Sequence, residues 1–276
     1  MTHRSGIQQP LAPQRVALEQ DGHTLDVEIY PACNNNRPTP AVLVLPGGGF
    51  REHTRHDGEG YARWLARLGI TAVVLRYQLA PDPFPLALQQ ARVTFAALRD
   101  GHLFPSIDAA KVGVIGSSAG GLLAGLLATN ARLSIEPQSR HSVRPAFHIQ
   151  SYGLADLGLL PDAAVAALLG TEQHLAAELS PVTHVDDKTS PSFIWATAQD
   201  PPGFSNAVAW ARVLTRHDVP TELHVYPEGH HGIGLADGVA YGPHGHQRID
   251  HTAQWTTACE KWLTHLEIIH GDPTGP

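Results

Sequence analysis

Cysteine is nearly absent, and that narrows the chemistry available to this chain. Only Cys33 and Cys259 occur in 276 residues. Two thiols cannot make a disulfide framework, and a pair of unpaired cysteines in a cytoplasmic protein is the expectation. No apolar run approaches the roughly 18 residues that a membrane span requires. The opening MTHRSGIQQPLAPQR is polar and carries no apolar stretch of the secretory kind, which again points to the cytoplasm. An excess of positive charge is also lacking. Lys and Arg number 19 against 26 Asp and Glu, a formal net charge of -7, so neither nucleic acid nor an anionic membrane surface is an expected partner.

The 18 histidines are accompanied by no HExxH, no Cys/His quartet and no carboxylate triad. His53 with His56, His230 with His231, and His244 with His246 stand close in sequence, yet no metal is expected from them. Nor does a Gly-Lys-Ser/Thr follow the one glycine run, which removes the phosphate-loop reading. Repeats and linker-like segments are missing too. One domain over 1–276 is expected, with 1–14 and 271–276 loose at its ends. A homo-oligomer is compatible with the sequence and not required by it.

Hydrophobic residues at 42% and charged residues at 16% supply ample core material. Arg15–Glu19 and Thr24–Tyr30 alternate apolar and polar residues around Gln20-Asp21-Gly22-His23, the pattern of an antiparallel hairpin. Pro40–Leu45, Ile70–Tyr77, Val112–Ile115, Pro145–Gln150 and Ser192–Ala198 are apolar runs that suit buried strands, and Glu222–Tyr226 adds another. Helical periodicity occupies His56–Leu68, Leu86–Arg99, the stretch after Ser118, Ser205–His217 and about Asp250–Ile269. In the first of these Asp57 is placed to cap the helix and Gly69 to end it. The order implies an α/β fold: a mostly parallel sheet with helices on both faces and an antiparallel N-terminal edge. Segment 151–190 is a candidate lid or cap, and the Gly/His-rich stretch 235–247 a second loop able to close over a site.

The chemistry is concentrated at strand ends. Gly116-Ser117-Ser118-Ala119-Gly120 fits G-x-S-x-G between a strand and a helix. A serine held clear of the backbone on so sharp a turn needs neighbours without Cβ atoms, which marks Ser118 as a candidate nucleophile. Gly47-Gly48-Gly49 follows the strand ending at Leu45, where backbone N–H groups can turn toward an oxyanion. A serine needs a base, and the base an orienting acid, in chain order Ser, Asp, His. Asp200 follows one late strand, though an Asp before Pro201-Pro202 also suits a plain turn. His231 follows the last strand, with His230 as the competing base; Gly232 beside His231 favours it. No cofactor is needed.

Together these residues resemble the α/β-hydrolase esterases grouped as bifunctional feruloyl and acetyl-xylan esterases. The resemblance spans roughly Ala41 to Leu263 and is carried by LPGGGF, HDGEGYARWLARLGITAVVLRYQLAP, VGVIGSSAGGLLAGLLAT, LSPVTHV, PSFIWATAQD and VPTELHVYPEGHHGIGLA. It implies nucleophile Ser118, acid Asp200, base His231 and oxyanion donors on the backbone of Gly48, Gly49 and Ala119. It further implies a small-molecule ester as substrate, an acetyl group on a sugar above all. Arylformamide or lipid-ester hydrolysis, and a non-catalytic binding protein of the same fold, are the rivals. Pro46 stands where many relatives have histidine, Gln90 where they have Asp, and Pro201–Phe204 replaces their usual segment. Phe50, Tyr152, Phe204 and Tyr241 are aromatics able to stack on a sugar ring, with ordinary packing the expectation for any single one.

Overall fold

The computed structural model describes residues 12–32, 37–136 and 144–270. Cys33 and the expected loose ends before residue 12 and after 270 lie outside them. Eight strands form one sheet: β1 (Gln14–Gln20), β2 (His23–Tyr30), β3 (Thr39–Leu45), β4 (Thr71–Leu75), β5 (Ile107–Ser117), β6 (His148–Ser151), β7 (Ser192–Thr197) and β8 (Thr221–Tyr226). Their spatial order is β1-β2-β4-β3-β5-β6-β7-β8. β1 and β2 pair antiparallel with each other, and β2 antiparallel with β4; every later pair is parallel. The parallel strands therefore release their chain at one edge, which gathers the loops after β3, β5, β7 and β8.

Because side chains alternate across a strand, the apolar run of β3 feeds two cores. Leu43 and Leu45 join one cluster with helices α2 (Leu86–Arg99) and α3 (Ala119–Ala128). Val42 and Val44 join the opposite one, with α1 (Tyr61–Arg67) and α7 (Trp255–His265). Further along, Ile194 and Ala196 of β7 pack under α5 (Pro201–Arg216), while Phe193 and Trp195 face the other way. Between β6 and β7, α4 (Asp162–Leu169) sits in segment 151–190, whose Leu157, Leu169 and Leu179 are fully buried in the α2–α3 cluster. That segment is anchored to the core by these leucines.

Four expectations are corrected. The helix expected over 56–68 begins as a wider π turn, His56–Gly60, before α1 takes over. Asp57 caps nothing there: Arg55 occupies the cap position, and Asp57 is 1% exposed. The helix expected from Ser205 starts at Pro201, since proline is tolerated where no intrahelical N–H is needed and Asp200 supplies a side-chain cap to Gly203. The last helix is broken into α6 (Asp250–Ala253) and α7. The fold class itself is as expected.

Candidate active site

Ser118 sits between β5 and α3 with φ 51° and ψ -121°, a strained backbone for a residue with a Cβ. Close packing holds it there. A Cβ on Gly120 would lie 2.1 Å from the carbonyl oxygen of Leu45 and 2.4 Å from that of Pro46. The first turn of α3 therefore rests directly on the backbone that leads into the glycine loop. On the other side Leu154 N–H donates to Ser118 O at 3.0 Å, tying the elbow to the end of β6.

The loops after β7 and β8 meet this serine. His231 Nε2 lies 2.7 Å from Ser118 Oγ, and His231 Nδ1 lies 2.7 Å from Asp200 Oδ2. A carboxylate only accepts, so Nδ1 carries the proton and Nε2 is left to accept from the serine hydroxyl. Asp200 is 2% exposed, and its other oxygen accepts from Gly203 N–H at 3.2 Å. One carboxylate thus caps α5 and orients the imidazole. The His231 side chain is 38% exposed, so the serine–histidine pair faces solvent. His230, the competing base, instead places Nδ1 2.8 Å from the backbone oxygen of His231.

The glycine loop is held from below. Gly48 has φ +121°, and a Cβ there would lie 2.2 Å from Glu52 O, so only glycine fits. Tyr77 donates its hydroxyl to Pro46 O, which ties the start of the loop to the core. Among the described residues the N–H groups of Gly48, Gly49 and Ala119 have no intramolecular acceptor. Gly47, beside them, comes so close to the elbow that a Cβ would be 3.2 Å from Ser118 Cβ.

Asp57 is the residue that sequence reasoning misassigned. Its Oδ2 accepts from Gly47 N–H at 3.2 Å and from Thr54 Oγ1 at 2.7 Å, and its Oδ1 accepts from the Tyr152 hydroxyl. Tyr152 in turn accepts from Gly234 N–H at 3.0 Å, and its ring packs edge-on against His231 with centroids 5.4 Å apart. The Tyr61 hydroxyl completes the group, 3.2 Å from that of Tyr152 and 2.6 Å from Ser151 Oγ. Burial, and then the charge of Asp57, push the Tyr152 phenol well above its ordinary range, so it stays a donor. A buried acid thus joins the loop before the elbow to the loop that bears His231.

The expected aromatic contacts divide. Phe50 is 0% and Tyr152 1% exposed, so neither offers a face to a ligand. Phe50 has a positive φ of 57° that turns its ring inward against Tyr77 and Phe84, and Tyr152 is consumed by the hydrogen bonds just described. Phe204, on the outer side of α5, keeps 38% exposure. The Tyr241 ring lies against Gly60, half-buried. No group of three His, Cys, Asp or Glu among the described residues could hold a metal ion. No helix among them is long and apolar enough to cross a membrane.

A family model described as BD-FAE matches residues 27–202, which include the glycine loop, the elbow and Asp200. The chain belongs to the BD-FAE family. Among curated relatives, an endo-1,4-beta-xylanase B of Butyrivibrio fibrisolvens is 29% identical over 74% of this chain and 34% of its own length. An acetylxylan esterase of Xylanibacter ruminicola is 25% identical over 81% of this chain and 46% of its own. The chain thus spans between a third and a half of these two relatives. A crystal structure of an acetyl ester-xyloside bifunctional hydrolase from Caldicellulosiruptor lactoaceticus superposes with a TM-score of 0.76 at 30% identity, covering 90% of each chain. The BD-FAE chain described here has the same α/β-hydrolase architecture over nearly its whole length.

Proposed function

We propose that this chain is a serine carboxylesterase that removes small acyl groups, acetyl foremost, from a sugar or xylo-oligosaccharide. The observation that carries the chemistry is the unbroken chain Ser118–His231–Asp200, with both contacts at 2.7 Å. His231 takes the Ser118 proton as Oγ attacks the ester carbonyl, and Asp200 stabilises the imidazolium and holds its tautomer. The carbonyl oxygen becomes an oxyanion that the N–H groups of Gly48, Gly49 and Ala119 receive; one such donor is worth about 3 kcal/mol of barrier. The imidazolium then gives its proton to the departing alkoxide, leaving an acyl-serine. Water, deprotonated by the same imidazole, releases the carboxylic acid and restores Ser118.

Support for acetyl and sugar comes from two relatives, the acetylxylan esterase and the acetyl ester-xyloside bifunctional hydrolase. The test is hydrolysis of an activated acetyl ester by wild type and Ser118→Ala, followed by a panel of longer acyl chains, acetylated xylo-oligosaccharides and formylkynurenine. Turnover abolished in Ser118→Ala and a preference for acetyl over longer chains are expected. An active alanine variant would sink the mechanism, and a preference for formylkynurenine or long acyl chains would sink the substrate.

A further inference from the structure

Asn206 lies in the second turn of α5 and is 0% exposed. Asparagine is a poor helix former, and burying its amide is costly unless every partner is supplied. All of them are. Oδ1 accepts from Ala155 N–H and from Asp156 N–H, each at 2.8 Å, and Nδ2 donates to Pro202 O at 2.9 Å. Two successive backbone donors thus converge on one oxygen, and an amide serves them and the carbonyl without bringing in a charge. We infer that Asn206 is a positioning residue that sets the separation of Asp200 from Ser118 through segment 152–156; the inference rests on the esterase reading above.

That segment touches both helices that begin at the proposed catalytic residues. Leu154, the neighbour of Ala155, donates its N–H to Ser118 O at 3.0 Å. The first turn of α3 seats on it as well, since a Cβ on Gly121 would lie 2.5 Å from Gly153 Cα. The first turn of α5 does the same: a Cβ on Gly203 would lie 3.0 Å from Tyr152 Cβ and 2.2 Å from Asp200 Oδ2. A short route of bonds therefore runs from Ser118 O to Leu154, across one peptide to Ala155, through Asn206 to Pro202, and back two residues to Asp200. On the Ser118 side the segment is held by main chain. On the Asp200 side the bonds to Ala155 and Asp156 come from the Asn206 side chain.

The separation matters because one imidazole of fixed size must bridge it. His231 reaches Asp200 Oδ2 and Ser118 Oγ at 2.7 Å each, and hydrogen bonds weaken as they lengthen beyond about 3.2 Å. β5, which leads to Ser118, and β7, which leads to Asp200, are not neighbours; β6 lies between them. The chain leaving β6 is thus the spacer, and Asn206 clamps the acid's helix to it.

The test is a double-mutant cycle on turnover of an activated acetyl ester, comparing wild type, Asn206→Ala, Asp200→Ala and the two together. Asn206→Ala lowers kcat by at least about tenfold with little change in KM. The acid limb of its kcat/KM profile moves to lower pH, because His231 loses its carboxylate partner. In the Asp200→Ala background the same substitution changes kcat by no more than about twofold. Asn206→Asp, whose carboxyl oxygen still accepts from both N–H groups, recovers most of the loss. Asn206→Ser, with a shorter side chain, carries the same cycle if the alanine variant does not fold. An equal loss of kcat in both backgrounds, or a folded variant with wild-type kcat and pH profile, would overturn the positioning role and leave the esterase reading standing. Wild type inert toward the ester would overturn the esterase reading and the positioning role with it.

Discussion

Asp57→Ala probes whether the buried acid serves catalysis or only stability. Three donors lose their acceptor: Gly47 N–H, Thr54 Oγ1–H and the Tyr152 hydroxyl. The two hydroxyls can rotate, and Tyr152 has Tyr61 within reach at 3.2 Å. Gly47 N–H is fixed by the backbone and cannot. A buried donor left unsatisfied costs about 1–3 kcal/mol, so a stability loss of about 2 kcal/mol is the least expected. Relaxation to let that N–H find water would displace Gly48 and Gly49, the adjoining proposed oxyanion donors. Misplacing one donor costs about 3 kcal/mol of barrier, on the order of a hundredfold in kcat. KM for a small acetyl ester should change little, because the ground-state carbonyl has developed no charge. Asp57→Asn should fall between, since an amide oxygen still accepts from Gly47 while its nitrogen turns to Tyr152. Initial rates over a range of acetyl ester concentrations, with thermal melts of each variant, decide the matter. A folded Asp57→Ala with wild-type kcat would refute the reasoning.

Acid should weaken the fold through His148. Burial drives its pKa from 6.5 down to about 3, against the pull of its hydrogen bond to Gln150. The unfolded chain therefore binds a proton from about pH 6.5 downward while the folded chain refuses it, and stability falls as pH falls through that window. At pH 4.5 the loss amounts to roughly 2–3 kcal/mol, about 5–10 °C in melting temperature, and His148→Gln should show a correspondingly flatter dependence; equal slopes in the two proteins would contradict this. Gly120→Ala places a methyl 2.1 Å from Leu45 O, and rigid backbone must move. Such overpacking costs about 3 kcal/mol or more, so a lower melting temperature and loss of esterase activity are expected together, and a variant matching wild type in both would show that the elbow has slack.

That Ser118, Asp200 and His231 meet was readable from their places along the chain. Ser118, Asp200 and His231 each follow a strand, and parallel strands carry such positions to one edge whatever lies between them. Asp57 was not readable, because its partners come from residues 47, 54 and 152, and the helical pattern around it already gave it an ordinary task. Phe50 and Tyr152 could not be settled between ligand contact and packing for a related reason. Each follows a strand end, where periodicity stops and a single positive φ, 57° and 35°, decides whether a ring points in or out. The proline pair after Asp200 spells turn and first helical turn alike, and only the cap to Gly203 distinguishes them.

The seating of Gly120 on the carbonyls of Leu45 and Pro46 separates what can drift from what cannot. Ser118 and the glycine loop are registered against each other chiefly by main chain, so exchanges of side chains other than those that bond the loop, such as Asp57 and Tyr77, leave their spacing untouched. The stretch from Asp237 to Arg248 is mostly exposed and held apart from that pair, by one bridge between its ends and by Gly245 against the His56 ring. An exchange of that loop between relatives should therefore leave the spacing of Ser118 and the glycine loop as it is.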